Sequence, residues 1–246
     1  MQKKYEKKYH LLEEENWWHK GRRDLILRLI SKNKKQNILD IGCSSGALLK
    51  LLELNDFKEL TGIDNSKEAI KECKKRGLNK TFVMDGSKLN FPDNKFEIII
   101  ASDILEHIKD DKAALSEWFR IVKPGGKMIL FVPAFNFLWS NHDVINKHYR
   151  RYYKNNLEKI IKESGFVLKK VSFWSFTLFL PVSLVKIFQR YFIKNSSEQM
   201  YNHNEIINKI LLKMILLENK IIQRLNLFVG TSLLIVAEKP NHKNPL

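Results

Sequence analysis

Between residues 36 and 132 the chain alternates short apolar runs with amphipathic stretches. The run Ile38-Leu39-Asp40-Ile41 breaks at Gly42 and Gly46, then restarts as Ala47-Leu48-Leu49. That pattern reads as strand, tight turn and helix, with the glycines allowing close approach of a ligand to the backbone. Residues 60–64, 81–84, 96–100 and 128–132 read as further strands. Helices are expected at about 46–54, 66–76 and 110–122, the second capped by Ser66 and stopped at Gly77. Alternation of this kind predicts a parallel sheet with helices on both faces and a ligand crevice at the carboxyl ends of its strands. Asp40, Asp64, Asp85 and Asp103 all fall at or just past those ends.

The flanks follow other rules. Residues 3–20 are charged and aromatic and end in Trp17-Trp18-His19-Lys20. They read either as a strap packed on the domain edge or as a lid over the crevice mouth. Gly21-Arg22-Arg23 opens an amphipathic helix that leads to the first strand. Residues 133–153 lack periodicity and form a long connection at the crevice edge, where a substrate loop belongs. A helix at 154–164 closes at Gly165, and sixth and seventh strands are expected at 166–173 and 231–237. Between them, residues 175–228 form a basic, apolar insertion of two amphipathic helices. Such a pair suits a bilayer interface; equally, the helices pack on each other or make a dimer face.

The chain has 246 residues, 44% of them hydrophobic, and a net charge of +16. The length allows one elaborated α/β domain. The charge favours polyanions or an anionic membrane surface, unless it reflects a general lysine bias. Two cysteines, Cys43 and Cys73, make no disulfide scaffold and fit a reducing, cytoplasmic setting. The start lacks a signal-peptide core, and the longest uncharged run, 171–185, contains Pro181 and is short for a membrane span.

The ordered set of motifs resembles the class I S-adenosylmethionine-dependent methyltransferases. The likeness covers roughly residues 36–172 and the final strand. It implies a doubly wound, seven-stranded Rossmann-like sheet, here with a helical insertion between the last two strands. It also implies S-adenosylmethionine as cofactor. Gly42, Cys43 and Gly46 would meet its methionine part and Asp40 its amino group, directly or through water. Asp64 would hold the ribose hydroxyls with Asn65 beside the adenine. Asp85 and Gly86 would meet the adenine amino group, and Ser102 or Asp103 the methionine end. Ser44 stands where glycine is commoner.

Candidate catalytic residues are His107, which follows the fourth strand, and His142, Asp143 and His148 in the substrate loop. Each has a bracing or solvated role as its alternative. Trp139, Tyr149, Arg150, Arg151 and Tyr152 are candidate substrate contacts, the arginines as a fork for phosphate or carboxylate. No metal-ligand spacing is present. The expected acceptor is an amphiphilic small molecule: a quinone precursor, a lipid or a lipid-linked saccharide. RNA or protein is the alternative acceptor, nucleic acid being the weaker, and a non-catalytic cofactor-binding subunit is a third reading. The 175–225 helices suggest peripheral attachment to the inner face of the membrane.

Overall fold

The strands that read as unbroken apolar runs occupy the middle of the sheet, where helices cover both faces. A computed structural model of the chain describes residues 13–30, 33–192 and 204–241. The expected strap before residue 13 and the polar stretch 195–203 lie outside the described residues.

Helix α1 (Trp17–Leu29) precedes β1 (Ile38–Ile41), α2 (Ala47–Leu54), β2 (Leu60–Asp64), α3 (Lys67–Lys75) and β3 (Thr81–Val83). Then come β4 (Phe96–Ser102), a single 3-10 turn at Leu105–His107, α4 (Asp111–Ile121) and β5 (Val122–Pro133). The later elements are a turn at Asn136–Leu138, α5 (Asn141–Ile145), α6 (Lys154–Glu163), β6 (Val167–Trp174), α7 (Phe179–Phe192), α8 (Glu205–Arg224) and β7 (Ser232–Glu238). The Ser66 cap is the one expected, its side chain accepting from Ala69 N, and Asp110 caps α4 in the same way.

The sheet order is β3-β2-β1-β4-β5-β7-β6. Strands β1 to β5 are parallel, and β7 runs antiparallel between β5 and β6. Alternation along the chain specifies the parallel part only. The last strand arrives from a helical insertion and enters the sheet in the opposite sense. Alternate side chains of each strand feed two cores. Leu39, Ile41, Ile99 and Leu130 meet Trp118 and Leu157 on one face. Ile38, Ile98, Ile100, Ile129 and Phe131 meet Leu25 and Ile26 of α1 and Ile215 and Ile222 of α8 on the other.

The two insertion helices have different fates. Helix α8 is welded to α1. A Cβ on Gly21 would lie 2.2 Å from the Ile215 Cγ2, so only glycine permits this approach. Asn219 accepts from the Trp174 Nε1 at 2.9 Å and donates to the Gly21 carbonyl and the Asp24 carboxylate, both at 2.8 Å. Glu218 accepts from the backbone N–H groups of Phe176 and Thr177. Helix α7 lies instead by the Asn136–Leu138 turn, where the Lys186 ammonium donates to the Leu138 carbonyl and the Ser140 hydroxyl. Leu180, Leu184, Val185 and Phe188 of α7 are exposed, as are Ile206, Ile210 and Leu217 of α8. No helix among the described residues is long and apolar enough to cross a membrane.

Candidate active site

At the end of β1 the chain turns through Gly42 and Gly46, both in the left-handed region at φ +77° and +82°. Ser44 between them is also left-handed at φ +50°, a conformation that costs a non-glycine residue roughly 1 kcal/mol. The N–H groups of Gly42 and Cys43 both donate to the Ile63 carbonyl, and Ser44 N donates to the Asp64 carboxylate at 3.0 Å. A ligand in this turn therefore meets the carbonyls and the bare backbone, rather than the free amides that a glycine turn suggests. The other Asp64 oxygen accepts from Ser66 N at 2.8 Å, which fixes the carboxylate plane at the β2 end.

This turn forms one end of a cavity of about 1050 Å³. Asp40, Gly42, Cys43, Asp64, Asn65, Ser102 and Asp103 line it, so most of the expected cofactor set comes together. Gly46 lies just behind, packed against Leu78 and Cys73. Asp85 and Gly86 stand outside the lining. The Asp85 carboxylate is turned onto Ser87, accepting from both its N–H and its hydroxyl at 2.8 Å, and the Gly86 carbonyl accepts from the Trp118 Nε1.

Three residues at this end escape a linear reading. Glu13 accepts from the Ser44 hydroxyl at 2.8 Å, beside Asp40 and Asp64. Burial pushes the Asp40 carboxyl up to about 8, and the charges of Glu13 and Asp64 add to the push. Arg22 is nearly fully buried, stacked between Phe131 and Trp174 and donating to Asp103, Ser102 and Ser232. His19 sits half-buried between these groups, and burial pushes it down to about 4. The sequence signal for Glu13 and His19 is the polar, tryptophan-containing strap, and for Arg22 the start of the helix after it: Trp17 is buried, and Glu13, Asn16, Trp18 and His19 wall the cavity.

The opposite end belongs to the 133–153 loop. Unexpectedly for an aperiodic stretch, it contains α5, begun by a capping box in which Asp143 accepts from Ser140 N at 2.8 Å. Asp143 is fully buried and also receives a two-pronged Arg151 guanidinium at 2.9 and 3.0 Å, and the His148 Nδ1 at 2.9 Å. Burial alone would raise its pKa, but the hydrogen bonds from His148 and Arg151 hold its carboxyl well below the usual range. Asp143 thus braces the loop and orients His148. His107, His142, His148 and Tyr149 line the cavity; burial holds His107 and His142 at about 4.

The arginine fork does not form. Arg151 is spent on Asp143 and the Ala134 carbonyl, and Arg150 on Asp111 and the Lys109 carbonyl. The Tyr152 hydroxyl donates to Asp111, which with burial raises its pKa, and neither Tyr152 nor Trp139 lines the cavity. Internal acids neutralise both guanidinium groups, which sequence spacing alone does not reveal.

The fold and this site define a doubly wound α/β protein with a nucleoside-type crevice at the carboxyl edge of its sheet. Residues 39–130 match the model of a methyltransferase domain family. An uncharacterized methyltransferase of Schizosaccharomyces pombe is 34% identical over 108 residues, 38% of each chain. The ubiquinone/menaquinone biosynthesis C-methyltransferase UbiE of Desulfotalea psychrophila is 30% identical over 109 residues, 42% of this chain and 44% of UbiE. The chain spans less than two thirds of the length of these curated relatives. The putative methyltransferase of Haloferax volcanii, solved in complex with the Trm112 methyltransferase activator, superposes with a TM-score of 0.64 at 18% identity, covering 98% of this chain and 96% of that one. Residues 39–130 thus match a methyltransferase domain within a fold shared with solved methyltransferases, and such a domain implies S-adenosylmethionine as cofactor.

The residues present fit that cofactor. Burial pushes Asp40 up, the charges of Glu13 and Asp64 on the same wall add to the push, and a cationic ligand there offsets that like-charge repulsion. Asp64 is held at the β2 end with its plane fixed, as a carboxylate that accepts from a ribose diol must be.

Proposed function

We propose that this chain transfers a methyl group from S-adenosylmethionine to an amphiphilic small molecule, such as a quinone precursor, a lipid or a lipid-linked saccharide. The bound cofactor would supply an electrophilic methyl group on a sulfonium. The protein's part is then to position two reactants and set the field around them. Asp64 would hold the ribose, while Asp40 and the backbone of Gly42 would hold the methionine end. Burial keeps the imidazoles of His107 and His142 uncharged near neutral pH.

The observation that carries the acceptor class is α7. Val182 and Lys186 line the cavity, while Leu180, Leu184, Val185 and Phe188 on the same helix are exposed. One helix thus joins the reaction chamber to an open apolar surface. The quinone-biosynthesis relative accords with this reading. On the same grounds the protein is cytoplasmic and docks peripherally on the inner membrane face.

The test is transfer of labelled methyl from S-adenosylmethionine into separate lipid, quinone and RNA extracts. Label in lipid or quinone supports the proposal; label in RNA alone transfers the assignment to the nucleic-acid reading suggested by the +16 charge. No label anywhere, with cofactor binding intact, favours a non-catalytic subunit. Flotation with anionic liposomes tests docking. The intact protein should rise and a Leu180→Asp, Leu184→Asp variant should not; a wild type that stays down at low salt ends that part of the proposal.

A further inference from the structure

The 3-10 turn after β4 places Glu106 with its side chain fully buried in the cavity wall, and neither carboxylate oxygen has a hydrogen-bond partner. An acid in such a place is costly whichever form it takes: ionised, its oxygens accept no hydrogen bond and feel Arg22 and Arg151 only through space, and protonated, its O–H lacks an acceptor. The Asp103 charge lies near enough to disfavour its ionisation further, and two imidazoles, His107 and His148, stand beside it. Tyr149 N donates to the Glu106 carbonyl at 2.8 Å, and this bond brings the substrate loop down onto the turn. His148 then meets His107 edge to face, with ring centroids 4.5 Å apart. One oxygen of Glu106 and one ring nitrogen of each histidine lie within 4.8 Å of one another.

The second layer is set as well. The His148 Nδ1 is held by Asp143 at 2.9 Å, so its Nε2 is the nitrogen left to bind a ligand. Asp143 in turn is fixed by Arg151 and Ser140. The His107 ring is hydrogen-bonded to the backbone of Asn146, which leaves its other nitrogen. A carboxylate behind a ligating histidine is the usual support for a metal-bound imidazole, fixing both tautomer and ring orientation.

We propose that Glu106, His107 and His148 form a binding site for a divalent transition-metal ion at the acceptor end of the cavity. Two imidazole nitrogens and one carboxylate oxygen suit zinc, iron or manganese better than calcium or magnesium, which prefer all-oxygen sets. Three protein ligands leave at least one position open to the cavity. The ion would give the Glu106 oxygens the direct partner they lack and draw the three donors inward. With Asp143 balanced by Arg151, the ligand set contributes one negative charge, so a bound divalent ion retains a net positive charge. The open position therefore favours an anionic or ionisable oxygen. That this oxygen belongs to the methyl acceptor rests on the methyltransferase reading; the metal site itself does not. The residues are 42 positions apart at their extremes, and the site is assembled by the loop, so it carries no linear spacing motif.

The experiment uses the full chain stripped with chelator and titrated separately with Zn²⁺, Mn²⁺ and Co²⁺. Calorimetry follows all three, and the visible absorption of Co²⁺ reports its ligand field. S-adenosylmethionine binding is measured in parallel on every sample. One equivalent of ion is expected, with affinity weakened more than about tenfold in Glu106→Gln and in His148→Asn, and retained in His142→Asn, a cavity histidine outside the set. A variant that still binds S-adenosylmethionine is folded, so its loss of metal is local. The proposal is overturned if the wild type takes up none of the three ions at micromolar concentration. It is overturned equally if Glu106→Gln and His148→Asn both bind as the wild type does. Metal binding without S-adenosylmethionine binding leaves this site standing and refutes the cofactor assignment instead.

Discussion

The Arg22 guanidinium donates to the Asp103 carboxylate at 2.8 Å, tying α1 to the end of β4 across 81 residues. Asp103 is left-handed at φ +54°, so the bond also holds a backbone conformation that is unfavourable alone. Arg22 is sealed between two aromatic rings while Asp103 is partly exposed, which moderates the pair's strength. Arg22→Met should destabilise the protein by about 2–3 kcal/mol in urea unfolding, at the low end for a broken buried pair. Arg22→Lys should recover little of it, because an ammonium neither stacks flat between rings nor reaches Asp103, Ser102 and Ser232 together.

Asp64→Ala should abolish measurable S-adenosylmethionine binding in calorimetry. Two hydrogen bonds from a diol to a charged acceptor contribute about 3 kcal/mol or more together, which is a loss of roughly a hundredfold. Asp64→Asn is the informative companion. It keeps one oxygen to accept from Ser44 N or Ser66 N, so the turn survives while the diol loses an acceptor. Unchanged affinity in both variants would refute the cofactor placement.

Asp40 makes stability depend on pH in an unusual direction for an acid. Its folded-state pKa is about 8 against an ordinary value of 3.8, so between those values the folded chain holds a proton that the unfolded chain has released. The Asp40 contribution is therefore fully present below about pH 4 and is lost progressively as pH rises toward 8. The difference in melting temperature between Asp40→Asn and wild type should grow in favour of the variant from pH 5 to pH 8. Saturating S-adenosylmethionine should shrink that difference, since a cation on the same wall favours the ionised carboxylate. A pH-independent difference would contradict the burial argument.

Gly21→Ala tests the seam between α1 and α8. Its methyl would meet Ile215 at a distance no packed side chain tolerates, so the helices must part. Overpacking of this kind costs about 1–3 kcal/mol, read as a lower urea midpoint. Combining it with Ile215→Ala should cost less than the sum of the two single changes, because the second change vacates the space the first requires.

Much of the fold is legible in the chain because its signals are local. Ser66, Asp110 and Gly77 mark helix ends, and apolar runs ending in Asp40 and Asp64 mark two of the crevice-edge strands. The antiparallel entry of β7 is not local: it depends on where α8 docks, and so on Gly21, Asn219 and Trp174 meeting from distant positions. The site divides the same way. The acids at β1, β2 and β4 are placed by their strands, but Asp85 turns aside onto Ser87 because a nearer donor is available. Arg150 and Arg151 have the right chemistry for an anion, and only folding brings Asp111 and Asp143 to neutralise them. Glu106 reads as one more polar residue after a strand until the loop closes over it.

The Asn219 bridge has a practical corollary for anyone trimming this protein. Removing the stretch between the sixth and seventh strands would uncover part of one side of the sheet and free Trp174 and the first helix at once. Shortened versions built to match a minimal family domain would then report on misfolding rather than on what the extra helices do. Surface substitutions on α7 leave that bridge untouched and are the cleaner probe.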